Sequence, residues 1–232
     1  MLEQAFEALK TYDYGVDRHV LDPIDEAAVS TRNDPAARKD LESRLLAVLQ
    51  SNAPRDARDY VCRQLRTVGT AASVPALEAL LVEPDLSHMA RYALERIPDS
   101  QAGQALERQF RKLNGLLKVG VISSLGTRGQ GVSLLRPLLQ DFDEAVARAA
   151  AIALGCIASV DANKALGSAR PRPALADVFA DASMACAEKL LAAGHAKEAK
   201  ATYQRLLKSG LPALIRTAAE RGLKLAEKMP ID

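Results

Sequence analysis

Histidine, cysteine and paired carboxylates are the side chains through which this chain would do chemistry, and their spacing works against it. His19, His88 and His195 lie 69 and 107 positions apart, and none has a His or Cys three or four residues on. The i, i+3 or i, i+4 pairing that places two metal ligands on one helix face is therefore absent. Cys62, Cys156 and Cys186 are odd in number and far apart, so they build no disulfide framework. Each sits inside an apolar helical phrase, which predicts a small hydrophobe packed in the core. The richest glycine stretch, Gly126–Gly131, follows a helical phrase rather than a strand. It reads as an inter-helix turn with left-handed glycines, not a phosphate cradle. Ser123 and Ser124 fall inside a helix, where no nucleophile elbow forms. Asp56 with Asp59, and Asp141 with Asp143, fall at helix starts, where capping and the helix dipole use them at ~0.3–1 kcal/mol each. The expectation is a chain that is not an enzyme, with no catalytic, cofactor-binding or metal-binding set.

What must position any functional side chain is helical. Of 232 residues 48% are hydrophobic, yet aromatics make up only 4% and there is no Trp. Alanine and leucine dominate, and the β-branched or aromatic runs expected of strands are missing. The 31 basic and 29 acidic residues leave a net charge of +2. That near-balance gives no global field to steer nucleic acid or a membrane surface. No apolar run approaches the ~18 residues of a membrane span. Residues 1–10 carry two Glu and no basic region ahead of an apolar stretch, unlike a secretory leader. The compartment is open: cytoplasmic if the chain is complete, exported if a leader has been removed.

The architecture is set by a recurring phrase. Val61–Gly69, Ala90–Pro98, Lys118–Gly126 and Ala147–Gly155 each end in a small or helix-stopping residue, at intervals of 28 or 29. An apolar residue precedes each end: Val68, Ile97, Leu125 and Leu154. Such a period marks a stacked helical array in which each unit buries its face against its neighbours. Between the phrases lie first-type helices carrying Val74, Leu77 and Leu80, then Ala105, Leu106 and Phe110. Asp34-Pro35 supplies an N-cap and a first-turn proline for an earlier helix.

Asp143, Arg148, Ala149, Ala150, Ala153, Leu154 and Gly155 resemble the compact HEAT-like repeat of bacteria, an acidic turn, then Arg, then an Ala-rich helix ending in Leu-Gly. Asp85, Arg91, Ala93, Leu94 and Ile97 match it in part; Val119 and Cys62 stand in the Arg slot of the other two phrases. The resemblance, to the HEAT-like or armadillo-type helical repeats, covers about residues 34–167 and implies an all-α, right-handed α-solenoid of helical hairpins. Residues 1–33 are then capping helices, residues 34–168 the repeats, and residues 169–232 further hairpins continuing the solenoid after Gly167–Pro173. Within that last part Gly194–Leu207 resembles the second helix of a tetratricopeptide unit. The last helix leaves Leu214, Ile215, Ala218 and Leu223 in need of a partner, one reading being a fragment of a larger multi-domain protein. Similar arrays accompany sugar-active or redox domains in large proteins of environmental bacteria.

HEAT-like enzymes with a di-iron centre rely on His-Glu steps, and this chain has no His-Glu dipeptide. In HEAT-like solenoids the second helices line the concave face. Here the candidate contacts on that face are Arg58, Tyr60, Arg63, Arg66, Arg91, Tyr92, Glu95 and Arg96, since Arg and Tyr are the types that anchor interfaces. Asp56, Asp59 and Glu144 are interspersed among the cations, which disfavours a phosphate track. Arg91 and Arg148 are also expected to bridge the acidic turns of neighbouring repeats. The leading expectation is a scaffold binding a protein or peptide on its concave face. A nucleic-acid binder, or a lyase-type helical-repeat protein acting on a chromophore-bearing protein, is the alternative.

Overall fold

The computed structural model describes residues 1–229 and is all-α: 77% helix, with fourteen α-helices and no strand among the described residues. The helices pack consecutively within two compact units, Met1–Val121 and Ile122–Asp232. In the first unit α1 (Leu2–Leu9) pairs with α2 (Asp22–Ser30), α3 (Pro35–Leu49) with α4 (Arg55–Val68), and α5 (Val74–Leu80) with α6 (Pro84–Leu94). Alternate helices also pack on one another: α2 on α4, α4 on α6, and α5 on α7 (Ser100–Phe110). The result is two layers, first helices in one and second helices in the other. The unit boundary falls within α8 (Gly115–Thr127).

The second unit repeats the plan. A short α9 (Val132–Leu135) runs into a 3-10 turn over Arg136–Gln140, and both pack on α10 (Glu144–Ile157). Then α11 (Val160–Ser168) pairs with α12 (Ala176–Ala192), and α13 (Ala196–Lys208) with α14 (Ala213–Ala226). Across hairpins α10 packs on α12, α11 on α13 and α12 on α14. The short phrase at residues 161–167 is thus the first helix of a hairpin whose second helix lies beyond Gly167–Pro173.

Local chemistry sets the helix starts. The Asp34 carboxylate accepts from the N–H groups of Ala36 and Ala37 at 3.1 and 3.0 Å, ahead of Pro35. Asp143 accepts from Ala145 N–H at 2.8 Å. Both satisfy amide donors that the first helical turn leaves without partners. The other expected caps act differently. Asp141 accepts from the N–H of Asp143 within the turn, Asp56 from the N–H of Tyr14, and Asp59 from Arg63.

Two expectations about the glycines and cysteines are corrected. Gly126 and Gly155 do not stop their helices but lie inside α8 and α10. They stand where helices approach closely: a β-carbon on Gly126 would lie 2.7 Å from the Ala153 α-carbon. Left-handed backbone is confined to Gly129 and Gly131 within that stretch, at φ 71° and 83°. Cys62 and Cys186 are buried as expected, but Cys156 is exposed. It follows Gly155 on α10, one step past the face that meets α12.

The sequence period reappears as hydrogen bonds joining groups about one hairpin apart in the chain, the first within the α3–α4 hairpin and the others between consecutive hairpins. Arg38 of α3 donates to the carbonyls of Val68 and Thr67 at 3.0 and 2.8 Å. The Glu42 carboxylate, buried at 3% exposure, accepts from Thr70 N–H at 2.7 Å and from the Ser73 hydroxyl at 2.5 Å. Arg108 of α7 grips Glu78 of α5 through two nitrogens, at 3.1 and 2.6 Å. In the second unit Arg172 donates to the carbonyls of Asp141 and Phe142 at 2.7 and 3.0 Å. Arg91 donates to the Gly120 carbonyl on α8 at 3.1 Å. Arg148 is exposed.

Candidate functional site

The second-helix layer of the first unit holds most of the candidate contacts, and α4 and α6 set their positions. Arg66 on α4 lies over the ring of Tyr92 on α6, its guanidinium carbon 4.3 Å from the ring centroid. Tyr92 keeps 36% of its surface exposed, and Arg63 and Arg96 beside it are exposed. Glu95 is half-buried on the same side. A guanidinium on a tyrosine face is held flat by the ring quadrupole and keeps its edge donors for other partners. The Nε of Arg66 is buried without a hydrogen bond.

Three of the eight candidates, on the same two helices, hold contacts between hairpins. Tyr60 is buried at 3% exposure, because its ring fills the space between α4 and α2. Its hydroxyl donates to Asp25 at 2.9 Å, and burial followed by that carboxylate pushes the phenol well above its ordinary range. Arg58 is half-buried and pairs with Glu83 at 3.2 Å. Arg91 is half-buried, and burial draws its guanidinium below the usual value. These three tie hairpins together; Arg63, Tyr92 and Arg96 are the exposed members of the set, with Arg66 and Glu95 half-buried on the same two helices.

Next to that surface lies a pocket of about 490 Å³ lined by Tyr12, Tyr14, Arg18, Arg55, Asp59, Tyr60, Arg63 and Gln64. The segment after α1 forms one wall and α4 the other. Asp25, outside the lining, ties three of these side chains together, accepting from Tyr60, from Gln64 at 2.7 Å and from Arg18 at 2.9 Å. Asp59, almost buried, accepts from Arg63 at 2.8 Å and faces Arg55 at 3.6 Å. The hydrogen bond from Arg55, then that from the Tyr14 amide, hold the Asp56 carboxyl below the usual carboxylate range. Asp56 held this way is a poor proton acceptor, while the Tyr14 ring and the outer edges of Arg18, Arg55 and Arg63 stay accessible for recognition.

Tyr12, Tyr14, Arg18, Asp25 and Gln64 escaped the sequence reading. For Tyr12, Tyr14 and Arg18 the signal is the break at Thr11–Asp22, where two Tyr and three Asp interrupt the apolar stripe; Asp25 and Gln64 carry none. The contacts that give them meaning span 35 to 42 residues.

Other features carry less chemistry. Burial pushes the Cys62 thiol up to about 12 and the Cys186 thiol to about 11, so both stay protonated and unreactive at neutral pH. Among the described residues no group of His, Cys, Asp and Glu gathers to hold a metal ion, and no helix is long and apolar enough to cross a membrane. A groove of about 660 Å³ lies between α9 and α11, but its charged walls, Arg136, Asp161 and Lys164, are exposed. The second-helix layer of the second unit is alanine-rich, with Ala147, Ala149, Ala150 and Ala151 buried on α10. The chain matches no known protein-family model and no curated protein.

Proposed function

We propose that the chain is a non-catalytic scaffold of HEAT-like hairpins that binds a protein or peptide through the second-helix surface of α4 and α6. The Arg66–Tyr92 stack carries this reading. It joins two neighbouring hairpins, and its two residues are of the types that dominate interface energetics. Arg63 and Arg96 flank it with further donors, so a segment bearing carboxylates and one apolar or aromatic side chain suits the surface. In a right-handed solenoid this layer is the concave side. A duplex-binding role is less favoured, since Arg63 and Arg55 already face Asp59.

The test compares wild type with Tyr92→Ala and with Arg63→Glu/Arg66→Glu. Capture of one defined protein that survives raised salt and is lost in Tyr92→Ala supports the scaffold. Retention on heparin that falls steeply with salt, and disappears on charge reversal, replaces it with nucleic-acid binding.

A further inference from the structure

Phe142 is the exception among the phenylalanines of this chain. Phe6, Phe110 and Phe179 are buried at 5%, 7% and 4% exposure, while Phe142 stands 97% exposed. Its backbone is nonetheless fixed, in the turn between the 3-10 segment Arg136–Gln140 and α10. Asp141 accepts from the Asp143 N–H at 2.9 Å, and Arg172 donates to the Asp141 and Phe142 carbonyls at 2.7 and 3.0 Å. A ring presented on ordered backbone loses less entropy when a partner buries it. Its neighbours are acidic: Asp143 and Glu144 are exposed and Asp141 is half-buried. Of the nearby cations, Arg172 is engaged with the two carbonyls, and Arg148 lies one turn further along α10.

The same unit carries a hollow of matching character. The groove of about 660 Å³ between α9 and α11 runs into a second of about 250 Å³ beside the 3-10 turn, the two sharing Arg136, Ala165 and Ser168. A cavity of roughly 150 Å³ already accommodates a benzene ring. Ala165 and Leu139 line the hollow from buried positions, and Val132 is half-buried beside them. Exposed Arg136, Lys164 and Arg170 stand around it, with Asp161 facing Lys164 at 3.6 Å. The chain's own Phe142, being exposed, does not fill it. From this match of size and charge we infer that copies of the chain associate through their second units. Phe142 of one copy enters the groove of another, and its acidic neighbours meet Arg136 and Arg170. The contact is small and belongs to the weak class, with half-association between about 10 μM and about 1 mM.

The chain has no Trp, so Phe142→Trp places one fluorophore at the site. This variant, at about 1 μM, is titrated with other variants of the chain up to about 1 mM. Phe142→Ala keeps the groove and lacks the ring, so it should move the emission to shorter wavelength as the indole leaves water. Arg136→Glu/Arg170→Glu should do so at least about tenfold more weakly. In sedimentation velocity Phe142→Ala should self-associate at least about tenfold more weakly than wild type. All three replaced side chains are exposed, and circular dichroism verifies the fold. No emission shift with Phe142→Ala overturns the inference. So does an equal shift with both titrants, which would put the ring on a different surface, and so does a wild type that stays monomeric at about 1 mM.

Discussion

Gly155 of α10 rests on Ala182 of α12 so closely that a β-carbon at 155 would sit 2.7 Å from the Ala182 carbonyl oxygen and 3.0 Å from its α-carbon. The obstructing atoms are backbone, so no rotamer change relieves the contact. Both helices bury alanines along this seam, which is how the two backbones come near each other.

Gly155→Ala should therefore destabilise the protein by about 1–3 kcal/mol, the usual range for overpacking. Helix propensity alone points the other way, since Ala is favoured over Gly by ~1 kcal/mol within a helix. Thermal denaturation decides between them: a lower midpoint supports the close approach, a higher one refutes it.

Ala158 closes α10 in the left-handed conformation, at φ 49° and ψ 37°, and its N–H bonds the Leu154 carbonyl. It is the one non-glycine residue with positive φ among the described residues. Ala158→Gly removes a steric cost of about 1–2 kcal/mol and adds a smaller entropic one. A net gain of about 0.5–1 kcal/mol in urea denaturation is expected.

Glu42 joins α3 to the turn before α5 from a buried position, with Thr70 and Ser73 as its donors. Glu42→Ala would leave the Thr70 amide and the fully buried Ser73 hydroxyl without an acceptor. The expected loss is about 3 kcal/mol. Glu42→Gln keeps one acceptor oxygen and should lose less. Equal losses in chemical denaturation would contradict the hydrogen-bonding role.

Glu78 gives a pH dependence. Its hydrogen bond from Arg108 is the main reason its carboxyl lies below the ordinary value of 4.5. A carboxyl lowered by folding contributes fully above its unfolded value, and that contribution disappears as pH falls through the folded one. The stability gap between wild type and Glu78→Gln should be level from about pH 7 to about pH 5 and close below that. A gap that widens on acidification would show the pairing has the opposite sign.

The sequence revealed the hairpins because stacking writes a period into the chain: Val68, Ile97, Leu125 and Leu154 each fill the same slot and are buried. Pro35 and Asp34 marked a helix start by chemistry that acts within three residues. The site was less legible. Arg63 and Tyr60 look alike in sequence, two polar-tipped residues on one helix, yet the segment around Tyr14 and Asp25 buries one and leaves the other accessible. Nothing local to α4 encodes that choice. The glycines misled for a related reason: a Gly needed by a neighbouring backbone is indistinguishable, by position alone, from one that ends its own helix.

The hydrogen bonds of Arg38, Glu42, Arg108 and Arg172 join groups 28 to 31 residues apart in the chain. A hairpin gained or lost whole would keep backbone carbonyls within reach of Arg38 and Arg172, whereas Glu42 and Arg108 also need the Ser73 and Glu78 side chains of their own neighbours. A change of a few residues between donor and acceptor would strand them. The chain's length is thus quantised, free to vary over evolutionary time in steps of one hairpin and resistant to smaller edits.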